Sequence, residues 1–355
     1  MSEQKMMKAS VMTTLGHFDM KEVPIPKPGA HDVLVKMKHV GICGSDVHYY
    51  QHGKIGDFVV TGPIILGHEC AGEIVELGSG VGEKWGLNVG DQVCLEPGYG
   101  CGRCELCRTG KYNLCEDMIF MATPPYDGAL QEYVCYPLEC VFKLPKNMST
   151  RDGALMEPLS VGMHACQVAE ASIGKSAVIL GAGPIGLVTL LCLKARGVSH
   201  IYVTDLVQQR LDTSLRLGAT AVINAKENVM EEINKLTNGK GADMVFETAG
   251  STITTQLTPD LVKKGGIILL VGMPPDGRCN FNMSRLIGKE AQIRTVFRYR
   301  HCYPLALNAI EAGLIKLDEL RSLITHSFKF ETECTEAFVT SRDDKVNVIK
   351  AMIEM

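Results

Sequence analysis

Four cysteines, Cys101, Cys104, Cys107 and Cys115, follow one another as CxxCxxCxxxxxxxC among Gly98, Gly100, Gly102 and Gly110. Four thiolates that close in sequence can fill the tetrahedral shell of Zn2+ with no open position, so a metal held there organises a loop and does no chemistry. Iron–sulfur ligation is the competing use of four cysteines. No second cysteine group of ferredoxin spacing occurs and no proline follows Cys115, which weighs toward zinc.

A second set of donors lies in two short strings, GICGSDVHYY at 41–50 and GHE at 67–69. Cys43, His68 and Glu69 supply a thiolate, an imidazole and a carboxylate, the mixed set expected of a catalytic zinc that keeps one position for water or substrate. Taken singly, such residues are more often a core cysteine, a satisfied histidine and a surface acid. They gain weight beside a third motif, GAGPIG at 181–186. An apolar strand, Ala177–Leu180, runs into Gly181, Gly183 and Gly186, and helical apolar spacing continues over Ile185–Arg196 to Gly197. Strand, glycine turn and helix together cradle a pyrophosphate on backbone N–H groups at the positive end of the helix dipole. A further strand, His200–Thr204, ends in Asp205, 24 residues after Gly181, where a ribose-binding acid belongs. Its carboxylate accepts from both ribose hydroxyls and repels a 2′-phosphate, which favours NAD over NADP.

The elements that must carry these groups fall into two kinds. From Leu206 onward, helices and strands alternate: helix to Leu217, strand Ala221–Asn224, helix Val229–Leu236, strand Met244–Glu247, helix Thr254–Lys264 and strand Ile267–Val271. This predicts an α/β domain, a doubly wound parallel sheet over 161–295 with ligands at the carboxyl ends of its strands. Residues 1–160 instead show short β-type runs between Gly and Pro turns, as in Val33–Met37, Gly72–Leu77, Gln92–Leu95 and Gln131–Tyr136, which predicts a mostly antiparallel domain. Helical periodicity returns in Tyr303–Gly313 and Asp344–Glu354, and 296–355 is expected to join 1–160.

Composition excludes several alternatives. Lys plus Arg number 36 against 40 Asp plus Glu, a net charge of −4 that offers no footprint for nucleic acid or an anionic membrane. The uncharged stretch Ser176–Leu193 is broken by glycines and Pro184 and does not read as a transmembrane helix. Met1–Ser10 is polar without an apolar h-region, and nine of the fourteen cysteines, apart from Cys43 and the lobe, lie scattered as reduced cysteines used as small buried hydrophobes do. A reducing, cytoplasmic setting is expected.

With these residues in view, the chain resembles the zinc-dependent medium-chain dehydrogenases, and among them the sorbitol dehydrogenase group of polyol dehydrogenases. GICGSDVHYY, ILGHECAG (65–72), the cysteine lobe, ATPPYDGA (122–129), EPLSVGMHA (157–165), GAGPIG, VTDL (203–206) and VFRY (296–299) occur in that group's order. The resemblance implies a GroES-like β-rich catalytic domain plus a Rossmann domain, usually in a homotetramer, with NAD and two zinc ions per subunit, one catalytic and one structural. It implies Cys43, His68 and Glu69 as catalytic zinc ligands with Glu157 as a rival carboxylate, the two acids being able to exchange roles. Tyr49, Glu157, Arg298 and Tyr299 match positions that meet a polyol, and Ile55, Phe58, Phe120 and Thr123 match the remaining lining. On the cofactor side the matches are Gly181, Gly183, Pro184, Ile185, Gly186, Asp205, Arg210, Val271, Gly272, Met273, Val296, Phe297 and Arg298.

The implied chemistry is Lewis-acid activation of a secondary hydroxyl, loss of hydride from the same carbon to nicotinamide, and exit of the proton through Ser45 and His48, or to Glu157 through water. Two other readings stand beside it. One is a dehydrogenase of the same fold for a diol or threonine, the other a catalytically silent zinc and NAD-binding structural protein.

Overall fold

The computed structural model describes residues 5–275 and 277–355, so the first four residues of the polar Met1–Ser10 stretch lie outside the described residues. The chain divides into two compact units: Met1–Glu157 with Tyr303–Leu307 and Ile324–Met355, and Pro158–Cys302 with Asn308–Leu323. The return to the first unit therefore comes later than 296. The helix Leu317–Arg321 stays with the second unit, where Glu319 receives Lys194 Nζ at 2.9 and 3.0 Å. Tyr303 is held in the first unit by donation of its hydroxyl to the Leu95 carbonyl at 2.8 Å. Among the described residues no helix is long and apolar enough to cross a membrane.

In the first unit, the strand Asp32–Gly41 is the hub of a seven-stranded sheet. It pairs antiparallel with Glu69–Leu77, Tyr133–Pro137 and Lys350–Glu354, and the sheet continues outward through Gln92–Leu95 and Val141–Lys143 on one side and Ile324–Lys329 on the other. Only the last pair, Ile324–Lys329 with Lys350–Glu354, is parallel. The tail corrects the helical reading of 344–354: the helix Phe330–Asp343 ends before it, and Lys350–Glu354 is a strand with Met352 opposite Gly41 and Ile353 opposite Val40. Lys350, Ala351, Met352 and Ile353 are all buried, so neither face alternates with polar residues. A short run covered on both sides has no period of two, and its apolar spacing is indistinguishable from that of a buried helix.

The second unit carries a six-stranded, all-parallel sheet in the order Ala221–Asn224, His200–Asp205, Ser176–Leu180, Ala242–Glu247, Val262–Leu270, Gln292–Thr295. Numbered along the chain this is the order 3-2-1-4-5-6 of a dinucleotide-binding sheet, with its switch between the first and fourth strands. Ala177, Val178, Ile179 and Leu180 are wholly buried, which is what a β-type run with no polar face requires.

Candidate functional site

Cys43 stands at the N-cap of the helix Gly44–His52, whose buried face is Asp46, Val47, Tyr49 and Tyr50. That face is fixed by packing: Tyr50 stacks on Phe18 at 5.2 Å, meets Phe338 at 5.3 Å and donates its hydroxyl to the Gly16 carbonyl at 2.5 Å. His68 and Glu69 arrive on a different element, at the start of the strand Glu69–Leu77. The Cys43 thiol, the His68 ring and the Glu69 carboxylate each offer a donor atom within 4.8 Å of the other two.

Two residues that sequence reasoning passed over hold this trio. Asp46, wholly buried, accepts from His68 Nδ1 at 3.2 Å, from the Gly67 N–H at 3.2 Å and from the Cys43 N–H at 3.4 Å. A carboxylate on Nδ1 fixes the imidazole tautomer and turns Nε2 toward the other donors, as metal-binding histidines require. Burial would lower the His68 pKa, but the Asp46 and Cys43 charges outweigh it and raise it well above the usual value. A divalent cation is the natural replacement for that proton. The signal for Asp46 was an acid three residues after the N-cap, a capping-box position.

Lys350 is the second. Its ammonium, buried to 3% exposure, donates to Glu69 Oε1 at 2.6 Å, to Oε2 at 2.7 Å and to the Ile42 carbonyl at 3.0 Å. Both Glu69 oxygens are thus engaged by a cation of the protein. Gly41 makes room for them, because a Cβ there would run into Glu69 Oε2. Glu157, buried on the helix Met156–Val168, is outside the trio's mutual 4.8 Å, yet its charge is felt at Lys350, Cys70, Glu96 and Tyr303.

The other residues read from the sequence as site candidates in this unit fall into three groups. Phe120 is buried with its ring 5.6 Å from that of His68, and Tyr49 is buried on the helix face beside Asp46. Ser45, Ile55 and Thr123 are half-buried. His48 and Phe58 are exposed.

The cysteine lobe forms a separate cluster, its four sulfurs within 4.8 Å of one another. Backbone N–H groups point at sulfur, from Cys101 to Cys115 at 3.3 Å, from Cys104 to Cys101 at 3.4 Å and from Cys107 to Cys104 at 3.4 Å. A Cβ at Gly100 would sit 2.6 Å from Cys107 Sγ, so the glycine is required by the close approach of the lobe to itself. Backbone donors pull the Cys101 thiol down to about 6, while burial first and neighbouring sulfurs next push Cys107 up to about 12. Four sulfurs this close cannot all ionise without a cation among them, and a tetrahedral zinc satisfies them. Tyr112, between the third and fourth cysteines, donates to Glu96 Oε1 at 2.5 Å, and burial lifts that carboxyl to about 7.

In the second unit, the glycine turn opens the helix Pro184–Ala195 with Gly183 as N-cap and Pro184 in its first turn. Gly181 has φ +102°, and a side chain at Gly186 would strike the Gly181 carbonyl. A Cβ on Gly183 would meet no protein atom within 4 Å, so that position leaves space for a phosphate to approach the helix terminus. Asp205 ends its strand with Oδ2 accepting from the Ala182 N–H at 2.7 Å and Oδ1 from the Val207 N–H at 2.9 Å. It ties the glycine turn to the second strand, a duty the motif did not announce.

Ile185 and Arg210 are half-buried on the helices Pro184–Ala195 and Gln208–Arg216. Val271, Gly272 and Met273 follow the strand Val262–Leu270, and the Val271 and Gly272 N–H groups both donate to the Glu247 carbonyl at 2.9 Å. The buried Glu247 carboxylate accepts from the Ala249 and Gly250 N–H groups and from Thr254 Oγ1 at 2.7 Å, so it braces this loop; it too was not read from the sequence. Val296 bonds to the Leu270 carbonyl, and the guanidinium of Arg298 lies 4.8 Å over the Phe297 ring. Arg298 has φ +56° and His301 φ +54°, uncommon for such residues and a mark of a segment shaped for use, while Tyr299 between them is buried.

Residues 29–146 match the Alcohol dehydrogenase GroES-like domain and residues 184–312 match Zinc-binding dehydrogenase. The sorbitol dehydrogenase of Bacillus subtilis (strain 168) is 39% identical over 344 residues, covering 94% of this chain and 97% of the relative. Among solved structures, an oxidoreductase of unknown specificity from Escherichia coli superposes with a TM-score of 0.93 at 42% identity, covering 99% of each chain. An alcohol dehydrogenase from Escherichia coli CFT073 in complex with NADH superposes with a TM-score of 0.89 at 26% identity, again over 99% of each chain.

Proposed function

The chain belongs to the zinc-dependent medium-chain dehydrogenases, in their sorbitol dehydrogenase group, and from that premise we propose that it oxidises a secondary hydroxyl of a sugar alcohol of the sorbitol, L-iditol or xylitol type to the ketose, with NAD as hydride acceptor. The observation that carries the reading is the convergence of a half-buried Cys43 with the buried His68 and Glu69, and Asp46 behind the histidine. A silent structural protein would have no use for a thiol converging on a buried imidazole so oriented.

We assign two zinc ions per subunit, one to Cys101, Cys104, Cys107 and Cys115, the other to Cys43 and His68 with a carboxylate. Because Lys350 holds both Glu69 oxygens, Glu157 is the better candidate for that carboxylate, with Glu69 in reserve. When bound, this zinc supplies Lewis acidity toward the substrate hydroxyl. Asp46 keeps His68 aligned throughout. Ser45 and His48, on the first turns of the helix Gly44–His52, take the hydroxyl proton toward solvent. Arg298 and Tyr299 bind hydroxyls beyond the reacting carbon, and the charged hydrogen bonds of Arg298 and Glu157 contribute about 1.5–3 kcal/mol each. The cytoplasmic, homotetrameric form of the group is the one we assign; the fourteen free cysteines suit a reducing compartment.

The deciding experiment is NAD reduction measured over four- to six-carbon polyols, simple diols, threonine and ethanol. A pentitol or hexitol is expected to lead ethanol by orders of magnitude, since a short alkyl substrate leaves polar donors without partners. Arg298→Ala is expected to cost polyol kcat/KM about 10–100-fold with zinc content unchanged. Ethanol or threonine as the leading substrate overturns the polyol assignment.

NAD is expected to exceed NADP by a large factor. Asp205→Ala should narrow that gap, and because the carboxylate also holds the Ala182 N–H, it should weaken NAD itself by about tenfold. Cofactor titration of both proteins checks this; equal use of NAD and NADP by the unmodified enzyme refutes it.

Cys104→Ser is expected to remove one zinc per subunit and roughly 3 kcal/mol of stability, or about 6–12 °C in Tm. The ranking of substrates should stay as it was. Metal analysis that finds a single zinc in the unmodified protein, with the lobe still ordered, contradicts the assignment.

A further inference from the structure

The helix Gly44–His52 carries a second pair of metal-binding side chains that neither cluster uses. His48 and His52 are exposed, four residues apart, with ring centroids 4.6 Å from each other. Residues at i and i+4 lie one above the other on a helix, and two imidazoles so placed can share one cation, as they do on zinc-binding helices of the HxxxH pattern. His52 ends the helix, and Gly53 closes it by donating to the Tyr49 carbonyl at 2.8 Å. The carbonyl end of a helix favours positive charge. Partial burial and the neighbouring His52 also hold the His48 ring below its ordinary pKa, which keeps it in the neutral form that a metal ligates.

We infer that His48 and His52 form an exposed site for a divalent transition metal, and that its occupation withdraws His48 from proton transfer and so inhibits the enzyme. The second half rests on the relay role given to His48 above. Two imidazoles with water completing the shell bind more weakly than the four-thiolate lobe, and in the order of ligand preference Cu2+ over Ni2+ and Zn2+ over Mg2+. The site therefore fills only when metal is in excess. A ring nitrogen on the metal no longer accepts a proton, so turnover falls while the resident zinc stays in place.

Ni2+ is the probe, because it can be counted apart from the resident zinc. Equilibrium dialysis of the zinc-loaded enzyme is expected to show one Ni2+ per subunit bound without zinc loss, and polyol oxidation should fall over the same Ni2+ range. His52→Ala should keep basal activity and zinc content but weaken both Ni2+ binding and inhibition about tenfold or more; His52→Cys, which restores a ligand, should recover binding. Equal Ni2+ binding by the unmodified enzyme and His52→Ala overturns the site. Binding that depends on His52 but leaves the rate untouched overturns the inhibitory role. The dialysis needs no turnover, so failure of the polyol assignment would show in the substrate panel and leave the Ni2+ count standing.

Discussion

Cys43→Ala is expected to lower kcat/KM by about 10^4-fold or more, roughly 5 kcal/mol of lost stabilisation, and to release one zinc per subunit while the lobe keeps the other. The size follows from what remains. His68 is held by Asp46, and Glu69 has both oxygens on Lys350, so removal of the thiolate leaves one imidazole and one carboxylate, that of Glu157 or the competed Glu69. Such a set does not retain zinc at working concentrations. Zinc analysis and turnover on the same preparation check this, and retention of both zinc ions would place the catalytic metal elsewhere.

Lys350→Met is expected to cost about 3–5 kcal/mol, because it strands the Glu69 carboxylate without a partner where both residues are almost wholly buried. A surface ion pair would cost less than 1 kcal/mol. Glu69→Gln placed on top of Lys350→Met should recover much of the loss, since breaking a buried pair is dearer than removing it. Urea unfolding of the four proteins at equal zinc loading gives the cycle. Additive losses would mean that the two side chains are not coupled, contrary to the 2.6 and 2.7 Å contacts.

The features legible in the sequence are those whose partners are near in the chain. The four cysteines span fifteen positions, and GAGPIG abuts its own strand and helix, so spacing alone carried them. Most strands and helices of the second unit fall within a few residues of their expected places, but the expected helix Thr254–Lys264 ends at Leu261 and the strand Val262–Leu270 runs on through Gly265 and Gly266. Asp46 sits 22 residues from His68 and reads locally as a helix cap. Lys350 lies 281 residues from Glu69, inside a run that passes for a helix, and no local pattern marks a lysine that will be buried. Glu247 was recognised as the end of a strand, but its carboxylate works on a loop whose shape appears only once Gly250 and Gly272 are in place, a Cβ at Gly272 falling 2.7 Å from Glu247 Oε2.

The strand Lys350–Glu354 lies inside the first unit's sheet, between Asp32–Gly41 and Ile324–Lys329, yet it follows the whole of 158–302 in the chain. On the ribosome, the parallel sheet of the second unit is therefore complete while the first unit still lacks an interior strand and the cation that neutralises Glu69. Until Lys350 emerges, the hub strand offers an open edge beside Cys43, and the two donor clusters differ in when they can mature: the cysteine lobe, local to 101–115, early, and the Cys43 trio only after Lys350 has been added.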